Sequence, residues 1–188
     1  MLLDYSPDDI DVRIADLLVA TADDADEALD ERVQEVLRLL REKLSMDVVF
    51  VSRFENGQRV IARLEQPAAH PVLAPGQSDP LEESWCQRVV DGRLPGMIRD
   101  ARPLVAAGRA PAGPFPIGTH LSAPVAGRDG GAFGTLCCFS FQPREELAEQ
   151  DYRRLRYAAE LLTARLRKVK GPTAEQMALV PKERRRGF

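Results

Sequence analysis

Two tight-turn signatures limit what this chain can fold into. Asn56-Gly57 stands between two runs rich in β-branched and apolar residues, Met46 to Phe54 and Gln58 to Glu65. Asn-Gly tolerates two successive positive φ angles, which a two-residue hairpin loop requires. Arg128-Asp129-Gly130-Gly131 repeats the pattern between Ile117 to Ala126 and Ala132 to Phe141. These two segments commit four strands to antiparallel pairing. Helical signals surround them. Ser6-Pro7-Asp8-Asp9 supplies a cap and a first-turn proline ahead of Ile10, Ile14, Leu17 and Leu18. Thr21 with Asp24 repeats the cap before a longer amphipathic helix carrying Leu29, Val33, Val36, Leu37, Leu40 and Leu44.

Between the hairpins, Gln66 to Ser78 reads as a loop, and Asp79-Pro80 is expected to cap a helix that carries Trp85, Cys86 and Val89 and stops at Gly92. A short strand around Met97 to Arg99 follows. Ala101 to Pro116, full of proline, glycine and alanine, is a long excursion with at most a turn of helix. A final helix runs from about Glu145 to Lys168 with Leu155, Ala158, Ala159, Leu162, Leu166 and Val169 as its stripe. This order is α+β: an antiparallel sheet flanked by helices.

With 188 residues, the chain suits one domain at 23–170, a helical extension at 1–22 and a basic tail at 171–188 beyond Gly171-Pro172. No apolar run approaches the length of a membrane span and the start lacks a signal-peptide pattern, so a cytoplasmic protein with no membrane partner is expected. Cys86, Cys137 and Cys138 show no metal-ligand spacing, and buried structural thiols are the default. The net charge of -3 conceals an asymmetry: eleven acidic residues against one basic in Met1 to Glu31, and eleven basic against three acidic in Arg153 to Phe188. No base-reading or stacking array accompanies the basic end, so a nucleic-acid partner is not expected. The two ends either pack side by side or form separately solvated faces. The width of the stripes Leu29, Val33, Val36, Leu40 and Leu155, Leu162, Leu166 suggests a homodimer built on them.

Four segments carry a family likeness. They are Glu83-Ser84-Trp85-Cys86-Gln87-Arg88-Val89-Val90-Asp91-Gly92, Ile98-Arg99-Asp100-Ala101-Arg102, Gly118-Thr119-His120-Leu121-Ser122-Ala123-Pro124-Val125 and Gly134-Thr135-Leu136-Cys137-Cys138-Phe139-Ser140. Together they resemble bacterial GAF domains over roughly Ala25 to Leu166. The resemblance implies a central antiparallel sheet of five to six strands, with the terminal helices on one face. On the other it implies a ligand pocket covered by a helix and long loops. It also implies a non-catalytic sensor that binds a small molecule and signals through dimer helices to a downstream protein, with the output on a partner or elsewhere in a longer chain. The alternatives are an interaction and dimerisation scaffold with a vestigial pocket, then a free methionine sulfoxide reductase or a thiol redox sensor.

The candidate ligand-binding residues are Trp85, Cys86, Asp100, His120 and Ser122. His120 alternates with Gly118, Ser122 and Pro124 on one strand face, while Ile117, Thr119, Leu121, Ala123 and Val125 point the other way. It either bonds a ligand, haem included, or is a satisfied core histidine. Trp85 and Cys86 lie on the helix that covers the pocket in the family. There the indole stacks on a ligand or joins Leu81 and Val89 in an apolar stripe, and the thiol is a candidate oxidant sensor. Asp100 matches a common family position and either holds the excursion or faces a ligand. The pocket is expected between the Trp85 helix, the Ala101 to Pro116 excursion and the face bearing His120 and Ser122. No cofactor is named by these residues. Cys86 is followed by Gln87 and Cys138 by Phe139, whereas bilin-attaching relatives commonly have histidine after the cysteine; the Asn-Lys-Phe-Asp-Glu signature of cyclic-nucleotide-binding relatives is absent. No catalytic triad, acidic dyad, phosphate-cradling glycine loop or zinc-protease motif is evident, so no enzyme activity is expected.

Overall fold

The computed structural model describes residues 10–18, 26–127 and 129–168, with side chains from Glu31 in the second helix to Arg167 in the last. The order is α1 (Ile10–Leu18), α2 (Asp26–Leu44), β1 (Val48–Glu55), β2 (Gln58–Glu65), β3 (Ser78–Pro80), a 3-10 turn (Leu81–Glu83), α3 (Trp85–Val90), β4 (Met97–Ile98), α4 (Arg102–Ala106), β5 (Thr119–Ala126), β6 (Ala132–Ser140) and α5 (Glu149–Lys168). The strands form one six-stranded sheet in the order β3-β2-β1-β6-β5-β4, every neighbouring pair antiparallel.

Both hairpins form where the turn chemistry places them. Asn56 and Gly57 take φ of 51° and 73°, the two left-handed residues of a tight hairpin loop. At the second turn Gly130 has φ 81°, and the Asp129 carboxylate accepts from Gly131 N at 3.0 Å. The hairpins join through β1 and β6, in register from Val48 opposite Phe139 to Arg53 opposite Gly134.

The sheet is buried on both faces. One face carries Val49, Val51, Leu121, Ala123, Leu136 and Cys138 into a core shared with α1, α2 and α5. The other carries Val48, Phe50, Ile61, Cys137 and Phe139 beneath Cys86 and Leu73. A third cluster gathers Trp85, Leu94, Ile98, Ala101 and Ala110 under the excursion. Cys137 and Cys138 thus enter opposite cores, as strand alternation requires.

Several expectations change against this frame. Val33, Val36, Leu40, Leu155 and Leu162 are buried inside this chain and Leu166 is partly buried against the same core, so these proposed dimer positions are turned toward the domain itself; the Leu29 side chain lies outside the described ones. Ser84, not Asp79, caps α3: its Oγ accepts from Gln87 N at 3.1 Å, while Ser78–Pro80 joins the sheet as an edge strand. Ile117 precedes β5 and packs with the clusters on the His120 side rather than opposite them. Helix α5 begins at Glu149, not Glu145. The described parts of the acidic and basic ends meet: α1 sends Ile10, Ile14 and Leu18 into the core shared with α5, and Asp11 lies 3.9 Å from Arg154. The 171–188 tail, the caps at Ser6 and Thr21, Val169 and Arg128 fall outside the described residues.

Gly134 sits where β6 crosses β1, and a Cβ there would run into the Ser52 carbonyl, which is fixed in the ladder. Gly134→Ala is expected to destabilise the domain by about 1–3 kcal/mol through forced backbone displacement. Urea unfolding of the variant beside the native chain measures it.

Candidate functional site

Helix α3 ends where Gly92, at φ 78°, turns the chain back, and it lays Trp85 and Cys86 over β5 and β6. Trp85 packs against Leu94, Ile98, Ala101 and Ala110 on one side; on the other its ring lies 5.0 Å from the His120 imidazole, tilted by 45°. Both rings border a cavity of about 240 Å³. Its floor is the aromatic part of the sheet face, Phe50 and Phe139. Its cover is the 111–115 stretch of the excursion, pinned by Phe115, whose ring stacks on Phe139 at 5.5 Å and stands edge-on to Phe141 at 6.1 Å.

Arginine closes the far wall. Arg59 on β2 lies opposite Asp79 on β3 and donates through Nη2 to its carboxylate, with its guanidinium carbon 5.7 Å from the centre of the Phe50 ring. The Arg59 Nε is buried and bonds to nothing in the protein. The same holds for Nδ1 of His120, a residue only 1% exposed. Two buried polar groups without partners, both bordering one apolar cavity, are uncommon, because each costs about 1–3 kcal/mol unless something satisfies it. Burial first, and the Arg59 charge second, push the His120 pKa down to about 3, so the ring is neutral. It can accept or donate one hydrogen bond.

Of the five residues singled out in the sequence, Trp85, Cys86 and His120 border the cavity. Ser122 lies one pleat further along β5, fully buried, its Oγ 3.0 Å from Cys137 Sγ and outside the cavity wall. Asp100 faces elsewhere: its carboxylate takes the backbone N, Nε and Nη2 of Arg102 at 3.1, 2.9 and 2.7 Å and starts α4. Those bonds hold its pKa below the ordinary carboxylate range. It therefore holds the excursion and does not line the cavity. Sequence reasoning missed Arg59, Asp79 and Phe115. Arg59 shares strand parity with the buried Ile61, and an arginine in that register is the signal that was there to read. Among the described residues no cluster of three metal-ligating side chains occurs.

The sequence matches the family model for the GAF domain over residues 26–166. The chain belongs to the GAF family. No curated protein sequence matches it. Among solved structures it is similar to the GAF domain of Acinetobacter phosphoenolpyruvate-protein phosphotransferase, at 17% identity and TM-score 0.67, covering 84% of this chain and 90% of that one. It is also similar to the free methionine-R-sulfoxide reductase of Neisseria meningitidis in complex with its substrate, at 17% identity and TM-score 0.65, covering 85% and 87%. A third is the chromophore-binding domain of Stigmatella aurantiaca phytochrome P1, at 13% identity and TM-score 0.61, covering 87% and 62%. At such identities the likeness is one of fold. The cavity of this GAF domain lies on the sheet face opposite α2 and α5, and no described helix is long and apolar enough to cross a membrane.

The neutral His120 has a measurable consequence. An unfolded chain takes up the imidazole proton near 6.5, whereas the folded one resists until about pH 3. Between those values the unfolded state binds more protons, so the His120 contribution to stability falls as pH drops below about 6.5, by up to ~1.4 kcal/mol per pH unit. The native chain should lose about 2 kcal/mol relative to His120→Gln between pH 6.5 and 5. Urea titrations of both proteins at each pH test this; a gap that stays constant contradicts it.

Proposed function

We propose that this GAF domain is a non-catalytic sensor. A small molecule occupies the cavity beneath the excursion, and its presence is passed through the sheet to the terminal helices and on to a partner. The observation that carries this reading is the pair of unpartnered buried groups, Arg59 Nε and His120 Nδ1, bordering an otherwise largely apolar cavity. A compact ligand with a flat apolar body against Trp85 and Phe139 and an acceptor toward Arg59 would satisfy both the surface and the orphaned polar atoms.

A route to the helices supports it. On β5, His120 borders the cavity while its neighbours Leu121 and Ala123 pack into the core shared with α5. Two hydrogen bonds tie β5 to that helix: Tyr152 Oη donates to the Ser122 carbonyl at 3.4 Å, and Ala126 N donates to Thr163 Oγ1 at 3.0 Å. A shift of β5 caused by a ligand reaches α5 directly. Because Val33, Val36, Leu40, Leu155 and Leu162 are inside the domain, a homodimer in this reading uses the outer faces of α2 and α5. Tyr157 on α5 is the one large hydrophobic side chain exposed among the described residues.

The scaffold reading keeps one observation in its favour: about 240 Å³ is small beside ligand pockets, which run from roughly 300 to 1,000 Å³. Native mass spectrometry of the chain purified without unfolding separates the two. The sensor reading expects a retained small molecule, whose binding alters Trp85 fluorescence and weakens by up to about a hundredfold in His120→Ala. A bare chain mass, with Trp85 emission unmoved by extracts fractionated for small molecules, would leave the scaffold ahead.

A further inference from the structure

The sulfur atoms of Cys86 and Cys137 lie 3.4 Å apart, although the residues come from α3 and the central strand β6. Cys86 borders the cavity; Cys137 lies beneath it, fully buried. Around this pair the sheet is polar where an apolar core would be expected. Cys137 Sγ is 3.1 Å from Thr135 Oγ1 and 3.0 Å from Ser122 Oγ, and Thr135 Oγ1 in turn is 2.8 Å from Ser52 Oγ. Ser52, Ser122, Thr135 and Cys137 are each buried to the last fraction of their surface. Hydroxyl groups placed there have water withheld and must bond to one another, and the chain they make ends on a thiol at the cavity wall.

We propose that Cys86 and Cys137 are a redox pair: a small hydroperoxide reaching the cavity oxidises Cys86, and Cys137 closes on it as a reversible disulfide. This goes beyond ligand sensing and does not depend on it. In the first step the Cys86 thiolate attacks the peroxide; an S–O bond forms, the O–O bond breaks, and the alcohol or water leaves with a proton. In the second, Cys137 sulfur attacks the Cys86 sulfenic acid; the S–S bond forms, the S–O bond breaks, and water departs carrying the Cys137 proton. Two thiols lose two electrons, and one peroxide is reduced to an alcohol and water. The Cys137 hydrogen bond and the nearby Arg59 charge favour ionisation of Cys86, whereas burial and the adjacent Cys86 hold Cys137 protonated. The pair thus divides into an attacking and a resolving sulfur. Bringing the sulfurs from 3.4 Å to the bond length of about 2.05 Å requires only a small approach. Cys137 is held in the ladder between β1 and β5, so α3, six residues long, is the element that moves and carries Trp85 with it.

The test is to treat the full chain with stoichiometric hydrogen peroxide, block free thiols under denaturing conditions and map the peptides. The expected product is a Cys86–Cys137 crosslink that dithiothreitol removes, accompanied by a reversible change in Trp85 emission. Cys138→Ser, whose thiol points into the opposite core, retains the crosslink; Cys137→Ser loses it and stops at sulfenic or sulfinic Cys86. Peptide maps of the native chain in which Cys86 and Cys137 both stay free, at peroxide levels that oxidise the urea-unfolded chain, would overturn the proposal. So would Cys86 over-oxidised beside a free Cys137. The decisive map is of the native sequence, so a variant that fails to fold does not obscure the answer.

Discussion

One sheet buried on both faces is the constraint on which this molecule depends. Along the buried stretches of the central strands β1, β5 and β6, alternate residues enter the helix-side core and the cavity-side layer. The period-2 geometry of a strand makes this division absolute, because a slip of one residue would exchange the two sets. The hairpin turns at Asn56-Gly57 and Gly130 set the registers that prevent such a slip. Leu121 can therefore be a helix-side core residue and His120 a cavity residue although they are adjacent in the chain.

The same constraint explains where polar groups are tolerated. On the helix side the sheet contributes Val49, Val51, Leu121, Ala123, Leu136 and the sulfur of Cys138, whose pKa burial pushes up and which takes part in no described hydrogen bond. On the cavity side, Ser52, Ser122, Thr135 and Cys137 satisfy one another. His120 and Arg59, at the margin of the cavity, retain unpaired nitrogens. A layer optimised only for stability would fill that space with side chains and leave no orphaned donors or acceptors. Two such nitrogens bordering one cavity mark a region shaped by something other than packing.

The strands and the main helices were legible because their signals are local. The hairpin dipeptides, the alternation along β5 and the helical spacing of Leu155, Ala158 and Leu162 each say which side of an element is buried. From them the sequence also placed Trp85 and His120 beside the excursion. What it did not reveal depends on contacts between elements distant in the chain. Asp79 looked like a helix cap because Asp-Pro is a common helix start; pairing of β3 with β2 made it the partner of Arg59 instead. Cys86 and Cys137, 51 residues apart, meet only because α3 folds back over β6. Asp100 read as either a loop holder or a ligand contact, and the local bonds to Arg102 decide for the first. The dimer stripes failed for the converse reason: the width of an apolar face does not say whether the sheet of the same chain already covers it.

The central claim is that the unpaired nitrogens of Arg59 and His120 face a ligand site. A high-resolution crystal structure of the chain, purified without refolding, tests it most directly. The account predicts electron density for a non-protein molecule within hydrogen-bond distance of Arg59 Nε or His120 Nδ1, over the Trp85 ring. A structure in which the excursion collapses onto the sheet, with both nitrogens bonded to protein atoms and Phe115 or Trp85 filling the cavity, would contradict it.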